Sequence, residues 1–137
     1  MDYSITLSTD GMFIVLKVKG SFTRKTILQP ILEAHAHGRE LRVRRYLVDM
    51  TEAKNADSDT ENYKFAYFDM QKMEGIDRHA RVATLVSPND HSHDFSETVA
   101  LNAGLNVRLF TDPDEAKRFL RAGSSQDMPG PPEDCDR

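Results

Sequence analysis

The stretch from Arg44 to Gly75, "RRYLVDMTEAKNADSDTENYKFAYFDMQKMEG", changes its hydrophobic period part way along, and that change decides how the chain folds. Arg44 to Met50 is short, apolar in the middle and runs into a polar loop, the pattern of a strand buried in a parallel sheet. From Tyr63 the period becomes helical. Tyr63, Ala66, Tyr67, Met70 and Met73 follow i, i+3, i+4 spacing, with Phe65 and Phe68 beside them, until Gly75 ends the run. On this spacing Tyr63, Tyr67 and Met70 face the sheet, while Phe65 and Phe68 point round the helix. Between strand and helix, Ser58 followed by Glu61 has the spacing of a capping box, in which two otherwise orphan N–H groups are satisfied.

The same strand-then-helix alternation continues outward in both directions. Towards the amino end, Ile5 and Leu7 alternate with polar residues, "STDG" supplies turn chemistry, and Met12 to Val18 is a β-branched run, giving a hairpin broken at Gly20 and Ser21. Thr23 then opens a helix in which Ile27, Leu28, Ile31, Leu32 and His35 share a face, ending near Gly38, with Pro30 inside it as a kink or a late start. Towards the carboxyl end, "ARVATLVSP" reads as a buried strand, "NDHSHD" as a loop, and Phe95 to Ala103 as a short helix closed by Gly104. "NVRLF" is a last strand. In "TDPDEAKRFL", Asp112 caps a last helix with Pro113 at its first position. The expected order is β-β-α-β-α-β-α-β-α: an α/β domain with a single mixed, mostly parallel five-stranded sheet, an N-terminal β-hairpin and four helices. We expect this domain over residues 1–121, and a disordered acidic tail rich in Pro, Gly and Ser over 122–137.

The bulk composition sets limits. The chain has 137 residues, the size of one domain, with 39% hydrophobic and 29% charged residues. The net charge is −4, and most of it lies in the tail, where Asp127, Glu133, Asp134 and Asp136 face only Arg137. The body is near neutral. Nonspecific nucleic-acid binding is therefore not expected, and "GRELRVRR" lacks interleaved aromatics to suggest otherwise. The single cysteine, Cys135, rules out an internal disulfide or a cysteine zinc cage and fits a reducing, cytoplasmic setting. No apolar run suggests secretion or a transmembrane segment.

The hairpin, the strand ending "YLVDMTEA", the strand "RVATLVS" and the closing "NVRLFTDPDEAKRFL" together resemble the bacterial SpoIIAA-like family of the wider STAS and Sec14-like group of α/β domains, over about Ile5 to Leu120. The resemblance implies a regulatory protein-binding domain or a carrier of apolar ligands. In the anti-sigma-factor antagonists of that group, a strand ending in Asp precedes a loop whose Ser is phosphorylated by a partner kinase. Asp49 matches the strand ending, and Ser58 is the nearest counterpart of that serine. Here Asp59 and Thr60 stand where the family pattern expects a second Ser and a Gly. Capping accounts for Ser58 and Glu61, and the acids around Ser58 would repel a phosphate.

The loops leaving the carboxyl ends of parallel strands share one edge, and ligands commonly bind there. That edge is expected to gather Asp49, Thr51, Ser58, Ser87, His91 and His93 as a ligand or partner site. His91 and His93 have metal-ligand chemistry but no helical spacing and no closed ligand set, so no metal and no cofactor is expected. No Gly-x-Ser-x-Gly elbow or Gly-rich phosphate loop is present, and the chain reads as a non-enzyme. Tyr63, Phe65, Tyr67, Phe68 and Met70 are the expected interface or apolar pocket. These residues lead to two expectations. One is a protein-interaction domain that binds a partner or forms a homodimer. The alternative is the binding of a lipid-like or other apolar small molecule in a Sec14-like pocket.

Overall fold

The computed structural model describes residues 1–122, so the expected tail, apart from Ala122 at the end of the last helix, lies outside the described residues. Five strands form one sheet in the order β1-β2-β3-β4-β5: β1 Asp2–Leu7, β2 Ile14–Phe22, β3 Arg45–Asn55, β4 Arg81–Leu85 and β5 Asn106–Phe110. The hairpin pair β1 and β2 is antiparallel, and every later pairing is parallel. The helices are α1 Arg24–Leu41, α2, α3 Asp94–Asn102 and α4 Pro113–Ala122. Helix α2 runs through Asp59–Lys64, a π-helical turn Phe65–Asp69 and Met70–Lys72. The expected fold class is the observed one. No helix among the described residues is long and apolar enough to cross a membrane.

Strand order that simply counts upward has a consequence for the layers. Right-handed crossovers between successive parallel strands put α1, α2 and α3 on one face of the sheet. There Ile14, Leu16 and Val18 of β2, Tyr46 and Met50 of β3 and Val82 of β4 meet Ile27 and Ala34 of α1, and Ala66 and Met70 of α2 continue the layer with Val99 and Ala100 of α3. Helix α4 follows the last strand and covers the other face, packing Ala116 and Leu120 on Phe13, Leu47, Ala83 and Leu85. Its start is as expected, with Asp112 Oδ1 accepting from Asp114 N at 2.9 Å. The order never reverses, so the sheet has no switch-point crevice.

Three boundaries differ from the sequence reading. Strand β3 continues through "TEAKN" to Asn55, because α4 leaves this part of its outer face to solvent. Polar residues can alternate there, and Lys17 meets Glu52 at 3.2 Å and Asp49 at 3.8 Å. Strand β2 likewise runs through Gly20 and Ser21 to Phe22, with Gly20 at φ +92°, a conformation an L side chain resists. Helix α1 is helical from Arg24, holds a buried Pro30 inside it, and passes Gly38 to end at Leu41, where Arg42 adopts the left-handed cap conformation with φ 60°. Gly38 is in the helix for close approach: a Cβ there would lie 2.7 Å from Val43 O and closer still to the Tyr46 hydroxyl.

Candidate functional site

Helix α2 forms the outer wall of the site. Ser58 Oγ accepts from Glu61 N at 3.2 Å, so the cap is made. The reciprocal half of the capping box is not, because the Glu61 carboxylate turns to Arg24 at 3.4 Å and Lys64 at 3.4 Å. Arg24, at the start of α1, also grips Asp69 through two bonds of 2.6 and 3.0 Å, and its backbone N–H donates to Asp57 Oδ2 at 2.6 Å. This fork-to-carboxylate geometry ties α2 to α1. Burial raises the Asp57 carboxyl pKa, opposed by the N–H from Arg24.

The π turn decides which residues of α2 face inward. Met70 N–H bonds Phe65 O, five residues back, and the extra residue in the turn rotates the rest of the helix relative to a regular α-helix. Phe65, Ala66 and Met70 therefore pack into the core. Tyr63 is 48% and Phe68 44% exposed, which corrects the expectation that Tyr63 faces the sheet and Phe65 does not. Outside, Tyr67 stacks on Tyr63 with centroids 4.5 Å apart, Phe68 stands edge-on to Tyr63 at 6.5 Å, and Lys72 Nζ lies 5.2 Å over the Phe68 ring.

Beneath α2, between the three helices and the sheet, lies a cavity of about 140 Å³. Its walls are mostly apolar, among them Leu16, Ile31, Phe65, Val82 and Val107, and it is polar towards the strand-carboxyl edge. At that end Asn55 Nδ2 donates to Asn62 Oδ1 at 2.8 Å, and Asp57 N–H donates to Asn55 Oδ1 at 2.9 Å. His93, stacked on Phe22 at 5.9 Å, turns Nε2 towards Ala53 O at 3.2 Å and Asp90 Oδ2 at 3.4 Å. Both neighbours are acceptors, so a proton on Nε2 has two oxygens to meet. At the opposite end His35 stacks on Tyr46 at 4.6 Å, and its Nδ1 accepts from Asp77 N at 2.8 Å. Burial pushes the His35 pKa down to about 4, with Asp77 opposing and Arg39 assisting; burial likewise pushes Tyr46 up to about 12.

The six residues expected at the carboxyl edge do not form one site. Asp49 and Thr51 lie within β3, several residues before its end at Asn55. Asp49 shares the outer face with Leu47, away from the cavity, and its Oδ1 accepts from Thr51 N and Thr51 Oγ1 at 3.0 and 2.7 Å. Ser87 Oγ donates to Thr51 O at 2.7 Å, and Ser58 is occupied as a cap. The two histidines diverge: the His91 side chain is 78% exposed and 3.0 Å from Asp94, whereas that of His93 is 3% exposed and lines the cavity. Among the described residues no group of three or more His, Cys, Asp or Glu side chains converges as a metal site would require. Of the aromatic group, Phe65 and Met70 line the cavity, Tyr67 is half-buried and packs against the core as its spacing predicts, and Tyr63 and Phe68 stand exposed beside it.

Asn62 and Thr84, 7% and 8% exposed, line the cavity and were not singled out from the sequence. Thr84 carried a signal, as the lone hydroxyl inside the apolar run "ARVATLV". Asn62 carried none.

No protein-family model matches the chain. No curated protein matches it. Solved structures do. An uncharacterized protein of the DUF3478 family with a SpoIIAA-like fold, from Shewanella loihica PV-4, aligns with a TM-score of 0.52 at 19% identity, covering 87% of this chain and 92% of that one. The anti-sigma factor antagonist SpoIIAA in its unphosphorylated form aligns with a TM-score of 0.50 at 12% identity, covering 88% of this chain and 98% of that one. At these identities the likeness is one of fold, and the chain has the SpoIIAA-like fold that its sequence resembles.

Proposed function

We propose that the chain is a non-catalytic, regulatory interaction domain that pairs with a second copy of itself through the outer face of α2. The observation that carries this reading is the ring cluster in which exposed Tyr63 and Phe68 are braced by half-buried Tyr67. Two of its rings are close to half exposed, yet all three are held by stacking and edge contacts. Aromatic side chains fixed in this way present large area at low entropic cost, the chemistry enriched at the centres of protein interfaces. Charge favours a second copy as the occupant. Helix α2 begins with Asp59 and Glu61 and carries Lys64 and Lys72 later, so a two-fold axis across it sets opposite signs against each other.

The proteins of like fold point the same way by analogy only. SpoIIAA is an anti-sigma factor antagonist, and a regulatory role for this chain agrees with the hydroxyls of Ser58 and Ser87, which are engaged with backbone groups. A reducing, cytoplasmic setting belongs to the same reading. Native mass spectrometry of the purified chain tests it: a dimer is expected for the wild type and a monomer for Phe68→Glu, and a wild-type monomer would sink the proposal. The alternative of an apolar ligand has its own observation, the cavity under α2.

A further inference from the structure

We propose that the cavity under α2 binds one compact, uncharged small molecule, a single ring or short branched chain carrying one hydrogen-bonding substituent. The site is independent of the self-association above, since its lining faces inward from α2. Size sets the first limit. The volume of about 140 Å³ is close to the roughly 150 Å³ of an engineered apolar cavity that stays dry and takes up benzene. On that scale of six carbons, a sixteen-carbon acyl chain needs about three times the space. The ligand is of ring size, not a long-chain lipid.

Charge sets the second limit. Among the described residues no Lys or Arg lines the cavity, which offers an anionic ligand no fixed positive charge. The two carboxylates at its border are already committed to backbone donors, Asp57 to Arg24 N at 2.6 Å and Glu97 to Leu109 N at 2.7 Å. A neutral ligand meets no such cost.

Polar capacity sets the third. Asn62 and Thr84 are each more than nine-tenths buried and line the cavity. Asn62 Oδ1 accepts from Asn55 Nδ2 at 2.8 Å, which leaves the Asn62 amide nitrogen and the Thr84 hydroxyl as the hydrogen-bonding groups these two side chains offer the cavity. Both side chains can hydrogen-bond a group that enters the cavity. A ligand hydroxyl set against Thr84 bonds its side chain, while the apolar body of the ligand fills the space towards Ile31 and Val107.

Calorimetric titration of the full chain with phenol, benzene and hexadecanoate tests the assignment. Phenol is expected to bind at roughly millimolar concentration or tighter, and benzene about 2- to 12-fold more weakly, the span of one net hydrogen bond. Hexadecanoate is expected not to bind. Ala100→Leu, which fills the cavity, should abolish binding of both rings, and Thr84→Val should bring phenol down to the affinity of benzene while leaving benzene unchanged. The proposal is overturned if neither ring binds the wild type, if hexadecanoate binds more tightly than phenol, or if folded Ala100→Leu binds the rings as the wild type does. Should Ala100→Leu fail to fold, Thr84→Val decides: an unchanged phenol-to-benzene ratio overturns the polar-end assignment.

Discussion

Gly38 stands in the interior of α1, where helix propensity alone favours alanine by about 1 kcal/mol. Its surroundings reverse that sign. An added Cβ would meet the backbone oxygen of Val43 at 2.7 Å as well as the Tyr46 hydroxyl, so Gly38→Ala must displace a buried, stacked ring. Denaturant unfolding should show the variant destabilised by about 1–3 kcal/mol, the usual range for overpacking. His35, against the same Tyr46 ring, makes stability depend on pH. Its folded pKa of about 4 lies below its ordinary 6.5, so between these values the unfolded chain holds a proton that the folded chain does not. The contribution is complete above pH 6.5 and is lost as pH falls towards 4, by about 2 kcal/mol between pH 7 and pH 5. The neighbouring charges Asp77 and Arg39 act in opposite senses, and burial dominates both. In His35→Gln, which keeps an acceptor for Asp77 N, this slope should disappear from urea titrations at the two pH values.

The elements show where sequence pattern is informative and where it stops. The parallel strands, the "STDG" hairpin turn and the Asp112–Pro113 helix start were legible because each is specified by residues adjacent in sequence. The length of β3 was not. "TEAKN" looks like a loop because its polar residues face solvent beyond the reach of α4, a fact of tertiary packing. Nor was the inward face of α2, since one extra residue in the π turn moves Phe65 inward and Tyr63 outward. The Arg24 clasp joins residues far apart in the chain and leaves no local pattern. Substitutions at the cap and at the clasp separate their contributions. Ser58→Ala should cost about 1 kcal/mol while Ser58→Asn, a competent cap, should cost little, as measured by thermal unfolding. Arg24→Leu should lower the unfolding temperature and speed hydrogen exchange in α2 more than in α4, because it frees only the former.

At the scale of the whole molecule, α2 has two faces with different chemistry. Inward it closes an apolar cavity with Phe65, Ala66 and Met70; outward it offers Tyr63 and Phe68, braced by half-buried Tyr67. The carboxyl edge expected from the sequence contributes to the first through His93 alone, because Asp49 and Thr51 belong to the far face of the sheet and His91 points to solvent. The pairing claim concerns the second face. Sedimentation velocity over a concentration series tests it most directly, comparing the wild type with Phe68→Glu and with Leu41→Glu, an exposed apolar position at the end of α1. The account predicts dimers for the wild type and Leu41→Glu, and a folded monomer for Phe68→Glu. A monomeric wild type, or a Phe68→Glu variant that stays dimeric, would contradict it.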